Sequence, residues 1–263
     1  MSDTMNSAPI CDIRGKIARG EPIYSMTVRL VRGVEIAGIA KAAGFDALYI
    51  DLQHSGISVE TAGQIAITAL ATGVAPFVRV PGVDPHAITR ALDAGAVGII
   101  VPDMHSAEDA RAVVNAAKYR PIGERSLPGI MPHLGYRVMP AAAATAAINA
   151  MTIVVAMIES AAGLAAVEEI AAVDGVDILL VGANDLCTEA GVAGQFEDPL
   201  VADAYARTLA ACRAHGKTLG VGGLASRPDL MRKYIDLGGG YVSLGADIAM
   251  LLAEATRKLK DLK

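Results

Sequence analysis

The chain has 263 residues, 53% of them hydrophobic and 19% charged, with 23 lysines and arginines against 28 acidic residues and a net charge of −5. So large an apolar share excludes general disorder, and the lack of any basic block excludes a surface that tracks nucleic-acid phosphates. No apolar run reaches the roughly 18 residues of a membrane helix, because Thr145, Asn149 and Thr152 interrupt the alanine-rich stretch 141–156.

In chain order, the opening MSDTMNSAPICDIRGK lacks the basic-then-apolar arrangement of a secretory signal. Cys11, Cys187 and Cys212 are odd in number, widely spaced and without a CxxC, which points to a reducing cytoplasm rather than a disulfide framework. Short Val- and Ile-rich runs then alternate with segments of helical spacing. Ile23–Thr27 reads as a strand before a helix over Gly33–Ala43, and Ala47–Asp51 as a strand before Val59–Thr72. Phe77–Val80 leads to Pro85–Ala94, and Gly98–Val101 to Ala107–Ala117. Ile153–Ile158 leads to Gly163–Val173, and Asp177–Val181 to Leu200–Ala214. The last two pairs are Thr218–Val221 with Pro228–Leu237 and Tyr241–Leu244 with Ala246–Lys260. The strands show little alternation, as expected where both faces are buried. AAGFDALYID, LDAGAVGIIVP, VDGVDILLVG and IDLGGGYVSLG each end a helix near a glycine and open a buried strand. Ser58, Asp84 and Ser226 stand at N-cap positions, with Pro85 at a first helical position.

Eight such units, joined by right-handed crossovers, predict an α/β fold of the (β/α)₈ TIM-barrel type as one domain over residues 1–263. An open doubly wound sheet is disfavoured by the lack of GxGxxG after the first strand. Residues 119–140 hold four prolines and three glycines and read as an elaborated active-site or interface loop. The C-terminal helix, 246–263, is an expected assembly surface.

Barrel chemistry collects at the C-terminal ends of strands. That rule brings Asp51, Gln53 and His54 together with Arg79, Glu159 and Asp185. Two carboxylates at adjacent strand ends suit an oxygen-rich Mg²⁺ or Mn²⁺ site, with helix capping or ionic pairing as the rival reading. Arg79, just before Val80-Pro81-Gly82, offers a guanidinium to a carboxylate or oxyanion, or makes a salt bridge. His54 is a proton-transfer candidate, with a helix-start hydrogen bond as the alternative. Asp51 orients the loop or caps it. Asp93, near a helix end, reads locally as structural. His86, His105 and His215 read as surface or helix-end residues, and His133, Tyr136 and Arg137 share the long loop. Arg29 near the first strand end is either an anion contact or a solvent-facing residue.

GFDALYIDLQH, FVRVPGVDPHAITRALDAGAVGIIVP, YRPIGERS, MIES and LLVGANDL, in that order, resemble the HpcH/HpaI family of class II pyruvate aldolases. That family acts on 2-oxo-3-deoxy sugar acids and dihydroxyheptenedioate, and the resemblance runs from Gly15 to Leu252. It implies a barrel of the phosphoenolpyruvate/pyruvate type, a homohexamer in the cytoplasm, and pyruvate and aldehyde substrates. It assigns the divalent metal (Mg²⁺ or Mn²⁺, with Co²⁺ and Zn²⁺ as alternatives) to Glu159 and Asp185, oxyanion binding to Arg79, and proton transfer to His54. Asp93 takes the role of the acid that organises this histidine, Asp51 that of the preceding strand-end acid, and Gly182 and Ala183 that of the backbone at the keto-acid carboxylate. Arg125 matches the central arginine. Two departures stand out: Asp51-Leu52-Gln53-His54 replaces Asp-Gly-Glu-His, and the loop after Arg125 has lost its glycine-rich form.

The expected function is therefore that of a carbon–carbon lyase, reversibly cleaving 4-hydroxy-2-oxo acids to pyruvate and an aldehyde. Oxaloacetate decarboxylation and CoA-ester cleavage through a metal-stabilised enolate are the enzymatic rivals. A non-catalytic metabolite-binding or scaffold barrel is the rival of another class.

Overall fold

The computed structural model describes residues 11–263; residues 1–10, which carry most of the segment read for a targeting signal, lie outside the described residues. Eight parallel strands close a barrel in sequence order. They are β1 (Ile23–Val28), β2 (Ala47–Asp51), β3 (Ala75–Arg79), β4 (Gly98–Val101), β5 (Ile153–Ile158), β6 (Ile178–Gly182), β7 (Thr218–Gly222) and β8 (Gly239–Ala246). β8 closes on β1 through Ile23 opposite Tyr241. Every residue of β2 through β6 is buried, which accounts for their near-continuous apolar sequence.

Burial on two faces makes two cores. Ile23, Tyr49, Phe77, Ile100, Met157, Leu180 and Tyr241 fill the barrel interior, where the Phe77 and Tyr241 rings meet at 5.2 Å. The opposite strand faces, with Leu48, Ile50, Val78, Ile99 and Val181, pack against the helices. The α-helices of the described residues are α1 (Ile13–Arg19), α2 (Glu35–Ala43), α3 (Val59–Thr72), α4 (Pro85–Asp93), α5 (Ala107–Ala117), α6 (Ala141–Met151), α7 (Ala161–Ala165), α8 (Val167–Ala171), α9 (Ala183–Glu189), α10 (Pro199–His215), α11 (Pro228–Asp236) and α12 (Asp247–Lys260), of which α1 and α6 contribute their buried residues elsewhere.

Local chemistry sets several boundaries. Ser58 accepts from the Thr61 amide at 3.1 Å, and Asp84 from the His86 amide at 2.9 Å ahead of Pro85. Ser226 is not a cap, because Pro228 opens α11 and moves the N-cap to Arg227. The helix expected over 163–173 is broken at Ala166 into α7 and α8. None of the described helices is long and apolar enough to cross a membrane.

The segment 119–140 sits at the N-terminal end of the barrel, so the active-site half of its expected role is not met within this chain. Lys118 Nζ donates to the Asn149 carbonyl at 3.0 Å and to that of Thr152, just before β5. The His133 ring meets the carbonyl of Ala96, just before β4, at 2.8 Å. Tyr119, Met131, Leu134, Ala144 and Ile148 give this segment and α6 a small core of their own.

Candidate active site

At the opposite end, where the strands finish, a cavity of about 270 Å³ opens. Parallel register sets its charged wall. β2 and β3 are aligned so that Asp51 lies beside Arg79, each the last residue of its strand. Arg79 Nε donates to Asp51 Oδ1 at 2.9 Å and Nη2 to Oδ2 at 2.5 Å. Arg29, just beyond β1, donates Nε to Asp51 Oδ2 at 2.6 Å. The amides of Gln53 and His54 donate to Oδ1 at 3.0 and 3.2 Å, which shapes the turn that carries His54 to the cavity. Burial by itself would raise the Asp51 pKa, but bonding to Arg79 and then Arg29 holds it at about 2. Asp51 is fully buried and Arg79 nearly so, the latter also lying over the Tyr49 ring at 5.3 Å.

The facing wall is acidic. Glu159 follows β5 and Asp185 lies in the first turn of α9, directly after β6. Glu159 Oε1 accepts from the Asp103 amide at 2.9 Å, while Oε2 is buried without a partner. Burial pushes the Glu159 pKa up to about 7, the Asp185 and Asp103 charges add to the rise, and the Asp103 amide and Arg79 oppose it. A buried, unpartnered carboxylate oxygen near a second carboxylate fits a cation. No group of three or more His, Cys, Asp or Glu side chains gathers among the described residues, so this pair would leave further coordination positions to substrate and water. Small residues keep the space open. A Cβ at Gly182 would lie 2.6 Å from Glu159 Oε2. One at Gly223, whose φ is +75°, would lie 2.9 Å from the amide nitrogens of both Ala183 and Asn184.

The structure thus brings His54, Arg79, Glu159, Gly182 and Asp185 to one cavity, with Asp51 behind Arg79 and Ala183 buried beside Gly182. Gln53 joins through its backbone, and its side-chain Oε1 is buried without a partner. Asp93 and Arg125 are not brought there. Asp93 ends α4 near the N-terminal ends of the strands, and Arg125 Nη2 donates to it at 2.6 Å while stacking over Tyr119 at 4.8 Å. Within one chain Asp93 therefore has Arg125, not His54, as its partner. Sequence reasoning passed over Tyr49, Met157, Leu180, Asn184, Gly222, Gly223 and Ser243, all of which line the cavity. The Gly222-Gly223 pair at the end of a predicted strand was the available signal for that wall.

The profile of the HpcH/HpaI aldolase/citrate lyase family matches residues 32–253. The chain belongs to that family. It is accordingly an enzyme of aldolase type. It is 42% identical over 219 residues to a 4-hydroxy-4-methyl-2-oxoglutarate aldolase of Chaetomium globosum, covering 82% of this chain and 81% of that one. It is 33% identical over 254 residues to a hydroxypyruvate/pyruvate aldolase of Delftia acidovorans, covering 95% and 92%. Among solved structures, an HpcH/HpaI aldolase from Desulfitobacterium hafniense superposes with a TM-score of 0.90 at 28% identity, covering 95% of this chain and 96% of the other.

Proposed function

We propose that the protein cleaves 4-hydroxy-2-oxo acids by retro-aldol chemistry into pyruvate and a carbonyl compound, and joins the two in reverse. One observation carries this reading: a guanidinium locked by Asp51 faces the acidic pair Glu159 and Asp185 across a single cavity. The names of the relatives at 42% and 33% identity support it, since both are aldolases of 2-oxo acids.

Glu159 and Asp185 would hold a divalent cation, Mg²⁺ or Mn²⁺ by their all-oxygen chemistry, and when bound it supplies Lewis acidity toward the 2-oxo group. The remaining steps belong to the chain's own residues. Arg79 spends Nε and Nη2 on Asp51, which leaves Nη1 to donate to the ketone oxygen. The backbone between Gly182 and Asn184, kept open by Gly223, receives the adjacent carboxylate. An imidazole nitrogen of His54 takes the proton of the C4 hydroxyl. The C4–O electrons then form the new carbonyl, the C3–C4 bond breaks, and its pair moves into C2–C3. Negative charge gathers on the C2 oxygen, where Arg79 stabilises it, and His54 returns the proton to C3 to give pyruvate. No proton is gained or lost overall.

We further propose that the enzyme works in the cytoplasm as a single-domain homo-oligomer, a hexamer by family form. Support comes from three free cysteines and from the exposed Leu251 and Leu252 on α12. The decisive experiment is exchange of pyruvate methyl protons for deuterium, followed by NMR, with and without a chelator. Exchange should vanish with the chelator and return with Mg²⁺ or Mn²⁺. Metal-loaded protein that neither exchanges pyruvate nor cleaves a panel of 4-hydroxy-2-oxo acids refutes the proposal. Carbon dioxide release from oxaloacetate without any aldol cleavage would favour a decarboxylase instead.

A further inference from the structure

The loop after β4 reaches the buried acid of the cavity through its backbone. Glu159 is 4% exposed, and among the described residues its Oε1 accepts from one donor, the Asp103 amide at 2.9 Å. Its Oε2 has no partner and lies beside Gly182, where an added Cβ would come within 2.6 Å of it. The next amide along the loop, that of Met104, donates to the Met157 carbonyl at 3.3 Å. Two consecutive amides therefore converge on the same end of β5.

An extended chain cannot do this, because its successive N–H groups point to opposite sides, whereas a left-handed turn swings neighbouring amides to one side. Asp103 supplies that turn. Its φ is +54°, and it is one of two non-glycine residues with a positive φ among the described residues. The left-handed region opposes any Cβ and is worst for a β-branched side chain, while Asp and Asn tolerate it. Room for the turn comes from α7, where a Cβ at Gly163 would lie 2.3 Å from the Met104 carbonyl oxygen. The Asp103 side chain is exposed, so burial of that side chain does not account for its backbone conformation. A costly conformation of this kind persists where the surrounding structure enforces it, and such residues gather at functional sites.

We infer that Asp103 is a positioning residue, whose left-handed backbone aims an amide that holds one oxygen of Glu159 and so presents the other to the divalent cation. The inference rests on the assignment of that cation to Glu159 and Asp185 in the proposed function. A glutamate side chain is long and loses rotational freedom when it is fixed. Holding Oε1 in advance removes that cost from metal binding, and a ligand's own hydrogen-bond partner is a large part of its affinity.

The test is Mn²⁺ binding to the protein without substrate, read by electron paramagnetic resonance of the free ion. Asp103→Gly and Asp103→Val both lose the carboxylate, so the difference between them isolates the backbone. Asp103→Val should bind Mn²⁺ about tenfold or more weaker than Asp103→Gly, the loss expected when a ligand's hydrogen-bond partner is displaced. If Asp103→Val fails to fold, Asp103→Ala takes its place, with an expected loss against Asp103→Gly of about threefold or more. Equal affinity of the compared variants, with binding still lost in Glu159→Gln, overturns the inference and leaves the metal assignment standing. Wild-type protein that binds no Mn²⁺, or whose binding survives Glu159→Gln, overturns both.

Discussion

Replacing Asp51 with asparagine keeps the shape of the side chain and removes its charge. In the structure that charge is fully buried and bonded to Arg79 at 2.9 and 2.5 Å and to Arg29 at 2.6 Å. Its carboxyl is held at about 2 against an ordinary 3.8, a depression that corresponds to roughly 2 kcal/mol of folding free energy at neutral pH. Breaking a buried pair by removing one partner usually costs about 3–5 kcal/mol, because the other charge is left uncompensated. Asparagine still accepts one hydrogen bond, so Asp51→Asn should destabilise the fold by about 2–4 kcal/mol at pH 7. The pH dependence has a definite sign. A depressed carboxylate pKa stabilises the fold fully above the ordinary value of 3.8, and the contribution is lost as pH falls through about 2. Urea unfolding of both proteins from pH 7 downward should therefore show a gap that is constant to about pH 4 and then closes. A gap below about 0.5 kcal/mol at pH 7, the range of an ordinary surface change, would refute the reasoning. So would a gap that does not narrow in acid.

Lys118, 3% exposed and bonded to the Asn149 and Thr152 carbonyls, has its pKa pushed down to about 8 by burial. The unfolded chain then binds the extra proton between about pH 8 and 10.5, so wild-type stability should rise with pH across that window by up to about 3 kcal/mol. Lys118→Met should abolish this rise in urea titrations, and a rise that survives the substitution would count against it. Gly223→Ala should raise the pyruvate KM by about tenfold or more, since the added methyl both strains a φ of +75° and lands 2.9 Å from two amide nitrogens. A steady-state assay with KM unchanged would remove those amides from the site.

The barrel was legible because its signal is repeated: eight buried runs, each paired with a helix, constrain one another even where single boundaries slip by a residue or two. What escaped lacked that repetition. α6 (Ala141–Met151) is an alanine run with no side-chain cap, and α9 (Ala183–Glu189) begins at the very end of β6 with no intervening cap. The site was legible where chemistry and strand end coincide, as at Asp51, Arg79, Glu159 and Asp185. It was not legible where the contribution is space, as at Gly222 and Gly223, or where a residue's direction depends on distant parts of the chain. Arg29 is the clearest case. Its position is set by Asp247, 218 residues away, and by Asp51, 22 residues away, and neither contact leaves a local trace. Asp93 is the converse, a residue whose chemistry suited the site but whose place at the end of α4 points it to Arg125.

Those placements give Asp51 a role that stability alone does not explain. A buried ion pair roughly breaks even against well-packed apolar residues, so a fully buried carboxylate at a strand end is a poor way to stabilise a barrel. Its geometry, however, fixes two guanidiniums at once and leaves a different part of each free: Nη1 of Arg79 deep in the cavity and both Nη groups of Arg29 nearer the mouth. One carboxylate thus sets the relative positions of two guanidiniums on the same cavity wall. Loss of the Asp51 charge should therefore slow pyruvate exchange even where the fold survives, because Arg79 loses the partner that orients it.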